Sequence, residues 1–196
     1  MRKTSINRKT KETDIKLRLN LDGSGNYDIS TGMPFIDHML ELFSKHGLFD
    51  LDIKAEGDLD VDCHHTVEDL GLVLGQGIAE ALGDKAGIKR YGFFVLPMDD
   101  TLVTVALDLS GRPYLVYNVK PPKSSINNID TRLFHEFFQA LTVKAGINLH
   151  IVYHSGQEIH HLFEAIFKCF AKALDIASSK DERLKGELMS TKGSLC

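Results

Sequence analysis

Two copies of one short motif, His-His-x-x-Glu, carry the strongest chemical signal in this chain. The first copy spans residues 64–68 (HHTVE) and the second spans residues 160–164 (HHLFE). When such a motif begins a helix, the Glu lies four residues after the first His and three after the second, so the carboxylate shares a helix face with imidazole nitrogens. Imidazole and carboxylate together suit divalent Mn, Fe, Co, Ni or Zn. Each copy can therefore hold a metal ion.

The adjacent histidines inside each copy favour two ions rather than one. Neighbouring side chains on a helix project roughly 100° apart, which hinders one ion from using both imidazoles but lets each imidazole serve a different ion. The alternative is that the four histidines are surface or helix-capping residues. Two copies in one chain weigh against that alternative, and the duplicated motif predicts two metals.

Other metal and cofactor classes fit the sequence poorly. Neither the metalloprotease motif HExxH nor its inverse HxxEH occurs, and the strand-like segments described below contradict an all-α di-iron bundle. Cys63, Cys169 and Cys196 show no CxxC spacing, so neither a thiolate zinc cluster nor a disulfide framework is predicted. Without a GxGxxG or GxxxxGK[ST] loop, no nicotinamide, flavin or nucleotide cofactor is predicted.

The elements that must position the first motif alternate between strand and helix. Apolar residues at every second position predict strands over 15–21 and 49–53, and 27–30 is predicted to form a hairpin with the former. Spacings of three and four predict helices over 34–47 and 66–82, the latter ending at a glycine. The first half is thus predicted as strand, strand, helix, strand, helix.

The second half repeats that order in residues as well as in pattern. Ahead of the second motif, three matches occur in sequence: 107–111 (LDLSG) with 21–25 (LDGSG), the helix around Glu136 with the helix around His38, and 149–151 (LHI) with 51–53 (LDI). Such a series indicates a tandem duplication. We predict an α+β fold in which each half packs an antiparallel sheet on helices, with one repeat over 1–90, a second over 91–180 and a polar tail over 181–196.

Composition narrows the class of protein. The chain has 196 residues, of which 43% are apolar, so it can bury a core and is not disordered. A net charge of −4 and a pI near 6.1 argue against nucleic-acid or anionic-membrane partners. No segment approaches the roughly 18 apolar residues of a membrane span, and the charged N-terminus lacks the apolar region of a signal peptide. We expect a soluble, unprocessed, cytoplasmic protein.

Six short segments, in the order in which they occur along the chain, match the motifs of a known family. They are RKTKET at 8–13, FIDHML at 35–40, DCHHTVED at 62–69, DLSGRP at 108–113, HHLFEAIFK at 160–168 and STKG at 190–193. Together they resemble the imidazoleglycerol-phosphate dehydratase family of histidine biosynthesis over nearly the whole chain. The resemblance implies a duplicated unit like domain 2 of ribosomal protein S5. It also implies a homo-oligomeric shell of 24 subunits built from trimers, with two Mn²⁺ ions per site between subunits.

The resemblance also implies a set of metal ligands. Seven of them are His38, His64, His65, Glu68, His160, His161 and Glu164. For the eighth, family members commonly have Glu-His or Glu-Glu before a Phe-Phe pair, whereas this chain has His135-Glu136. Aligning the two repeats places Glu136 opposite His38, which favours Glu136, and a carboxylate can replace imidazole on Mn²⁺.

The implied reaction converts imidazole glycerol phosphate to imidazole acetol phosphate by loss of water. Its difficulty is a carbon-hydrogen bond that is not acidic. An imidazole bridging two metals through both nitrogens would lose its ring proton, as metal-bound water does. The imidazolate can then expel the adjacent hydroxyl, which makes the neighbouring C–H acidic enough for a carboxylate to remove the proton.

Further residues are assigned roles through the same resemblance. Glu12, Glu164, His46 and Lys168 are the catalytic candidates; Glu12 is the candidate acid/base, and His46 and Lys168 are expected to contact the diol. Taken alone, Glu12 is more often a solvated charge at a strand end, and His46 a helix C-terminal residue favoured by the macrodipole. Lys168 is equally an exposed charge on an amphipathic helix. The residues predicted to contact substrate are Glu12, His38, His46, His64, Glu68, Arg90, Arg112, Lys168, Ser190 and Lys192.

Phosphate recognition favours arginine, whose planar fork matches phosphate oxygens. The resemblance implies that Arg90 and Arg112 are the phosphate pair, with Ser190 and Lys192 from the tail. Without the resemblance, Lys89-Arg90 would be ordinary surface charge. Asp37, Asp69 and Asp108 are predicted to orient metal ligands or an Arg. Cys63 could be a soft metal ligand, but the nitrogen and oxygen donors favour a thiol that is inert or only supports the ligands. The predicted core residues are Met33, Met39, Phe93, Phe94, Phe134, Phe137, Phe138 and Phe170.

Two other functions use the same residues. A dinuclear metallohydrolase would activate water with these ligands and would release phosphate from an ester. A metal-storage or metal-sensing shell would bind metal without affinity for any imidazole phosphate, and it would leave Arg90, Arg112 and Lys192 without a purpose. The dehydratase accounts for all of these residues and is our interpretation.

Overall fold

The computed structural model describes residues 2–195, and Cys196 lies outside them. The first half contains six elements: β1 (Lys3–Lys9), β2 (Thr13–Asn20), β3 (Tyr27–Ser30), α1 (Pro34–Gly47), β4 (Asp50–Gly57) and α2 (His64–Leu82). Pro34 begins α1 as predicted, because the missing N–H of proline costs nothing in a first helical turn. Gly83 ends α2 at a positive φ of 57°, which glycine adopts without steric cost.

The second half repeats these elements in the same order and adds a small hairpin. Its elements are β5 (Tyr91–Met98), β6 (Thr101–Asp108), β7 (Tyr114–Asn118), β8 (Ser125–Ile126), β9 (Ile129–Asp130), α3 (Arg132–Ala145), β10 (Asn148–Ser155) and α4 (Ile159–Ser178). A short 3-10 helix, Glu182–Leu184, begins the tail.

Two four-stranded sheets have the same topology. Their strand orders are β1-β2-β4-β3 and β5-β6-β10-β7. In each sheet the last pair, β3 with β4 or β7 with β10, is parallel, while the other pairs are antiparallel. The predicted α+β fold with a sheet packed on helices in a duplicated unit is confirmed. The prediction that each sheet is antiparallel is wrong for its last pair, which is parallel. The residue boundaries assigned to the repeats stay a prediction.

The predicted hairpin between 15–21 and 27–30 is wrong. Strand β2 pairs with β1 on one side and β4 on the other, so β3 joins the far side of β4. Asp50 stabilises this crossing, because its Oδ1 accepts hydrogen bonds from the backbone N–H of Ser24 at 2.9 Å and of Asn26 at 3.2 Å. Alternation shows which face of a strand is buried but not which strand lies beside it.

Strand β1 was not predicted at all. Ile6 is its only buried residue, so the sequence shows no apolar alternation there. An edge strand needs only one neighbour, and β1 pairs along its whole length with β2. Its place in the fold comes from that backbone pairing.

The helices of the two repeats are cross-paired. Helix α2 lies on β1 and β2, and α4 lies on β5 and β6, so each motif-bearing helix covers the sheet of its own half. In contrast, α1 packs against α4, and α3 packs against α2. The helix that carries His38 therefore meets the second His-His-x-x-Glu motif, and the helix that carries Glu136 meets the first.

Glycines bring α2 directly onto the backbone of α3. A Cβ atom at Gly71 would lie 2.4 Å from the carbonyl oxygen of Phe137, and one at Gly75 would lie 2.4 Å from that of Leu141. When the two motifs are aligned, α4 carries Phe167 at the position of Gly71 and an alanine at that of Gly75. The close backbone approach is thus a feature of the α2–α3 pair.

The core prediction is correct except on β5. Met33, Met39 and the four helix phenylalanines named above are buried, and Phe94 is partly buried. Phe93 is 68% exposed, because strand alternation places it on the outer face of the second sheet. Tyr91, Val95 and Tyr114 are also exposed on this sheet. We call these four residues the outer apolar face.

No helix within residues 2–195 is long and apolar enough to cross a membrane.

Replacement of Gly71 by alanine should weaken the α2–α3 packing. An added methyl group at a close-packed site costs about 1–3 kcal/mol. Gly77→Ala on the same helix is the matched control, since its Cβ would meet side-chain tips rather than backbone, with Leu17 Cδ2 the nearest at 3.0 Å. Both variants gain the same helix propensity. Denaturant unfolding at one protein concentration should place Gly71→Ala about 1–3 kcal/mol below Gly77→Ala; equal stabilities would refute the close approach.

Candidate active site

Both His-His-x-x-Glu motifs begin in the first turn of a helix. Helix α2 begins at His64, two residues before the predicted start, and the N–H of His64 donates to Asp62 Oδ1 at 2.7 Å. In α4, the Glu158 side chain caps the helix by accepting from the N–H of His160 at 3.0 Å. The local structure thus gives each motif the helical spacing that metal binding requires.

Three side chains from the two repeats meet at the α1–α4 contact. Glu164 Oε1 lies 2.6 Å from His38 Nε2 and 3.1 Å from His160 Nε2. One ligand atom of each lies within 4.8 Å of the others. We call this group the first cluster. Its imidazole nitrogens and carboxylate oxygen form a donor set suited to a divalent cation such as Mn²⁺.

Lys168 forms an ion pair with the carboxylate of the first cluster. Its Nζ donates to Glu164 Oε2 at 2.7 Å and lies 3.6 Å from Met98 Sδ. Burial opposes ionisation of Glu164, but the hydrogen bonds from Lys168 and His38 outweigh it and lower the pKa of Glu164 to about 2. The carboxylate is therefore ionised at neutral pH, as a metal ligand must be.

The corresponding residues of the α2–α3 pair are more widely spaced. His64 Nε2 lies 3.7 Å from Glu68 Oε2, and His64 and Glu136 line the same cavity of about 590 Å³. We call His64, Glu68 and Glu136 the second cluster. Asp62, Cys63, Asp130 and Arg132 also line the cavity. Imidazole and carboxylate donors again suit a divalent cation, and here there is room for one.

The structure separates the two candidates for the eighth ligand. Glu136 lines the cavity with His64, whereas the ring of His135 lies against Tyr117, with centroids 5.3 Å apart and an interplanar angle of 85°. His135 Nδ1 is 3.2 Å from Glu136 Oε1, so it can donate to that carboxylate. This placement favours Glu136, in line with the alignment of the repeats.

The second histidine of each motif lies outside both clusters. His65 Nδ1 is 2.9 Å from Asp58 Oδ2, and His161 Nδ1 is 3.5 Å from Asp99 Oδ2. The hydrogen bond with Asp58 is the main cause of a raised pKa for His65. The Asp58 carboxylate at Nδ1 leaves Nε2 of His65 as the nitrogen able to bind a metal, whereas His161 Nδ1 is buried without a hydrogen-bond partner among the described residues. Nothing in the sequence pattern marked Asp58 or Asp99 for this role.

The other catalytic candidates lie next to these groups. Glu12 Oε1 is 4.0 Å from His65 Nε2 and its side chain is exposed. His46, in the last turn of α1, is partly buried, and both this burial and the positive charges of Lys168 and Lys172 lower its pKa. The effect of the Lys168 charge on the His46 pKa shows that the two side chains lie near each other.

The tail meets Arg90. The guanidinium donates to Asp108 through Nε at 2.7 Å and Nη2 at 3.0 Å, and Nη1 donates to the carbonyl oxygen of Met189 at 2.7 Å. Ser190 and Lys192 follow directly, with the N–H of Lys192 donating to Ser190 Oγ at 3.2 Å. The structure thus brings three of the four predicted phosphate contacts to one region.

Arg112 is the exception among the predicted phosphate contacts. It is exposed, and its guanidinium forms no hydrogen bond or ion pair within the part of the chain that the structure describes. Lys85, which the sequence did not mark, lies near Arg90 and Asp108 instead. Burial of Lys85 lowers its pKa, the charge of Asp108 raises it, and the charge of Arg90 lowers it.

The predicted orienting aspartates have different roles. Asp108 orients Arg90, as predicted. Asp37 accepts hydrogen bonds from the N–H of Thr31 at 2.8 Å and from its hydroxyl at 2.6 Å, and it bonds to no candidate ligand or Arg within residues 2–195, so its orienting role stays a prediction. It lies in the first turn of α1 and ties that turn to the preceding loop. Asp69 pairs with Arg8 at 2.6 Å, so it orients an Arg, one of the two predicted roles.

Cys63 lines the cavity beside His64 and is partly buried. Burial, and then the charge of Asp62, raise the pKa of its thiol. A raised pKa keeps the sulfur protonated, which fits the prediction of an inert thiol.

Comparison with known proteins identifies the family. The sequence model of imidazoleglycerol-phosphate dehydratase matches residues 31–174. The imidazoleglycerol-phosphate dehydratase of Acetivibrio thermocellus is 57% identical over 194 residues, 99% of each chain. This chain belongs to the imidazoleglycerol-phosphate dehydratase family. The dehydratase of Geobacter sulfurreducens is 56% identical, again over 99% of each chain.

Solved structures of imidazoleglycerol-phosphate dehydratases have the same fold. The Staphylococcus aureus enzyme is 38% identical, with a TM-score of 0.83, over 91% of this chain and 99% of its own. The Pyrococcus furiosus enzyme, solved in complex with (S)-C348, is 35% identical, with a TM-score of 0.84, over 97% of this chain and 100% of its own. The predictions of the family and of a hydro-lyase are confirmed. The family is metal-dependent and supplies a dehydration step of histidine biosynthesis.

Replacement of Glu164 by glutamine should lower metal content while keeping the shape of the site. The amide removes the negative charge that joins His38, His160 and Lys168, and ligand loss costs more than the roughly 10–100-fold that changes in supporting residues cost. Glu182→Gln, an exposed change in the tail, is the matched control. Elemental analysis after dialysis should show metal lost from the Glu164 variant alone. Equal metal in both would mean that the first cluster is not a metal site.

Proposed function

We propose that this chain dehydrates imidazole glycerol phosphate to imidazole acetol phosphate, using two Mn²⁺ ions. The observation that carries the proposal is the first cluster, in which a His from one repeat and a His and Glu from the other lie within 4.8 Å. Family membership supports the reaction class. The proposal also includes a cytoplasmic location and the division into repeats 1–90 and 91–180 with a tail over 181–196.

The metal ligands in this proposal are those of the two clusters together with His65 and His161. When bound, the two ions would hold the substrate imidazole through both ring nitrogens and favour loss of its ring proton. Glu68 and Glu164 would supply the negative charge at each ion. The electron-rich ring can then expel the hydroxyl on the adjacent carbon.

Side chains of this chain would hold the remaining parts of the substrate. Glu12, beside His65, would take the carbon-bound proton as the acid/base, since its carboxylate is exposed and free of strong hydrogen bonds among the described residues. His46 and Lys168 would bind the two hydroxyls. Loss of the hydroxyl and then of the carbon proton leaves an enol, which becomes the ketone.

Phosphate binding is assigned to the Arg90 region. The Asp108 carboxylate fixes the orientation of the Arg90 fork, and Ser190 and Lys192 add donors from the tail. Arg112 belongs to the proposal as well. Because its guanidinium has no partner in the described residues, it is available for an anion.

A homo-oligomer is part of the proposal, with 24 subunits built from trimers as the family resemblance implies. His65 and His161 belong to neither cluster of their own chain, so in this proposal a second copy supplies one further imidazole to each cluster. The outer apolar face, with Phe93 68% exposed, supports contact between copies.

The activity itself tests the proposal directly. The Mn²⁺-loaded chain should convert imidazole glycerol phosphate to a product one water lighter, measured by mass spectrometry, and Glu164→Gln should not. Release of inorganic phosphate would indicate a dinuclear hydrolase instead. Metal binding without any conversion would contradict the proposal.

Mixed assemblies should show whether sites are shared between chains. His65→Ala and His160→Ala should each be inactive alone, but co-assembled in equal amounts they should regain activity at about one quarter of the sites, if each site takes these histidines from different chains that mix at random. His160→Ala mixed with Glu164→Gln is the matched control, because both changes lie in the same cluster and no intact cluster remains. Recovery in the control, or none in the first mixture, would refute shared sites.

Deletion of residues 187–196 should weaken phosphate binding. It removes Ser190, Lys192 and the Met189 carbonyl that accepts from Arg90. A charge-assisted contact is worth on the order of 1.5–3 kcal/mol, so KM should rise by about 10-fold to more than 100-fold while metal content stays unchanged. A substrate analogue without phosphate should bind both proteins equally. An unchanged KM for the phosphate-bearing substrate would remove the tail from the site.

A further inference from the structure

The two clusters differ in charge. The first has two imidazoles and one carboxylate, and the ammonium of Lys168 lies 2.7 Å from that carboxylate. The second has one imidazole and two carboxylates, Glu68 and Glu136. At the position of Lys168, one turn after the motif glutamate, α2 carries Leu72. Negative charge is therefore neutralised locally in the first cluster but not in the second.

The surroundings of the second cluster increase this difference. Asp62 and Asp130 line its cavity, and Arg132, the one cation among the lining residues, is paired with Asp130 at 2.7 Å. A dication entering this cavity would meet an excess of carboxylates. In contrast, a dication entering the first cluster must compete with Lys168 for Glu164.

The clusters also differ in the space that they offer. In the first, Glu164 Oε1 already bonds to His38 and His160 at 2.6 and 3.1 Å, so an ion must separate these groups. In the second, His64 and Glu68 are 3.7 Å apart, and the cavity lies beside His64 and Glu136. The glycine contacts of α2 with α3 hold the second cluster on two closely packed helices. Less rearrangement is needed there when an ion binds.

We propose that the second cluster is the tight Mn²⁺ site, filled first, and that the first cluster is the weaker, exchangeable site whose affinity is set by Lys168. The proposal rests on the two-metal function proposed above. A histidine from another copy would add one neutral imidazole to each cluster, so it would not remove the difference. We expect the two affinities to differ by about tenfold or more, because one site gains a carboxylate and avoids an ammonium.

Mn²⁺ titration of the metal-free, full-length protein tests this proposal, with free Mn²⁺ measured by electron paramagnetic resonance at one pH and salt concentration. We expect two classes of one ion per chain. Lys168→Met should tighten the weak class and leave the tight class unchanged. Lys168→Arg, which keeps the positive charge, is the matched control and should leave the weak class weak.

A second variant tests the other cluster independently. Glu136→His gives the second cluster the residue type found at the matching position of the first, and it should weaken the tight class without affecting the weak one. Circular dichroism and sedimentation establish that each variant is folded and assembled; if Lys168→Met is not, Glu136→His decides alone.

Two results would overturn the inference while leaving the two-metal function intact. One is a single class of two equal sites, and the other is a Glu136→His variant that weakens only the weak class. Fewer than two ions per chain would instead refute the two-metal function itself, and this inference with it.

Discussion

Two helix contacts between the repeats determine the candidate site: α1 packs against α4, and α3 packs against α2. His38 lies on α1 and Glu164 on α4, 126 residues apart in sequence, yet their side chains are hydrogen-bonded. Neither repeat holds the first cluster alone. The two sheets support this arrangement, because α2 and α4 each lie on the sheet of their own half and so face the partner helix from a fixed position.

Electrostatics then distinguishes two sites that the duplication made alike. Burial alone would favour protonation of Glu164, but Lys168 and His38 keep it ionised. The α2 helix has no lysine one turn after Glu68, and it approaches α3 through glycines rather than larger side chains. The two repeats of this chain thus share a topology but form different clusters. One cluster is compact and lies beside an ammonium, and the other is open and rich in carboxylates.

The helices could be predicted from the sequence because helical spacing and cap residues are local signals. The two motifs and the family could be identified because they depend on residue types and their order. It did not predict β1, where one buried residue leaves no pattern, or the parallel pairing of β3, because alternation carries no information about neighbours. Phe93 was placed in the core because it is aromatic, although its strand position directs it outward. Asp58, Asp99 and Lys85 reach their partners only through tertiary structure, so no sequence spacing marked them.

Anomalous diffraction at the manganese edge, from crystals of the Mn²⁺-loaded assembly, tests the central claim most directly. We expect two peaks per chain, one among His38, His160 and Glu164 and one among His64, Glu68 and Glu136. Each ion should also contact His65 or His161 from a neighbouring copy. Peaks at other positions, or a single ion bound by one repeat alone, would contradict the claim that the cross-paired helices build the site.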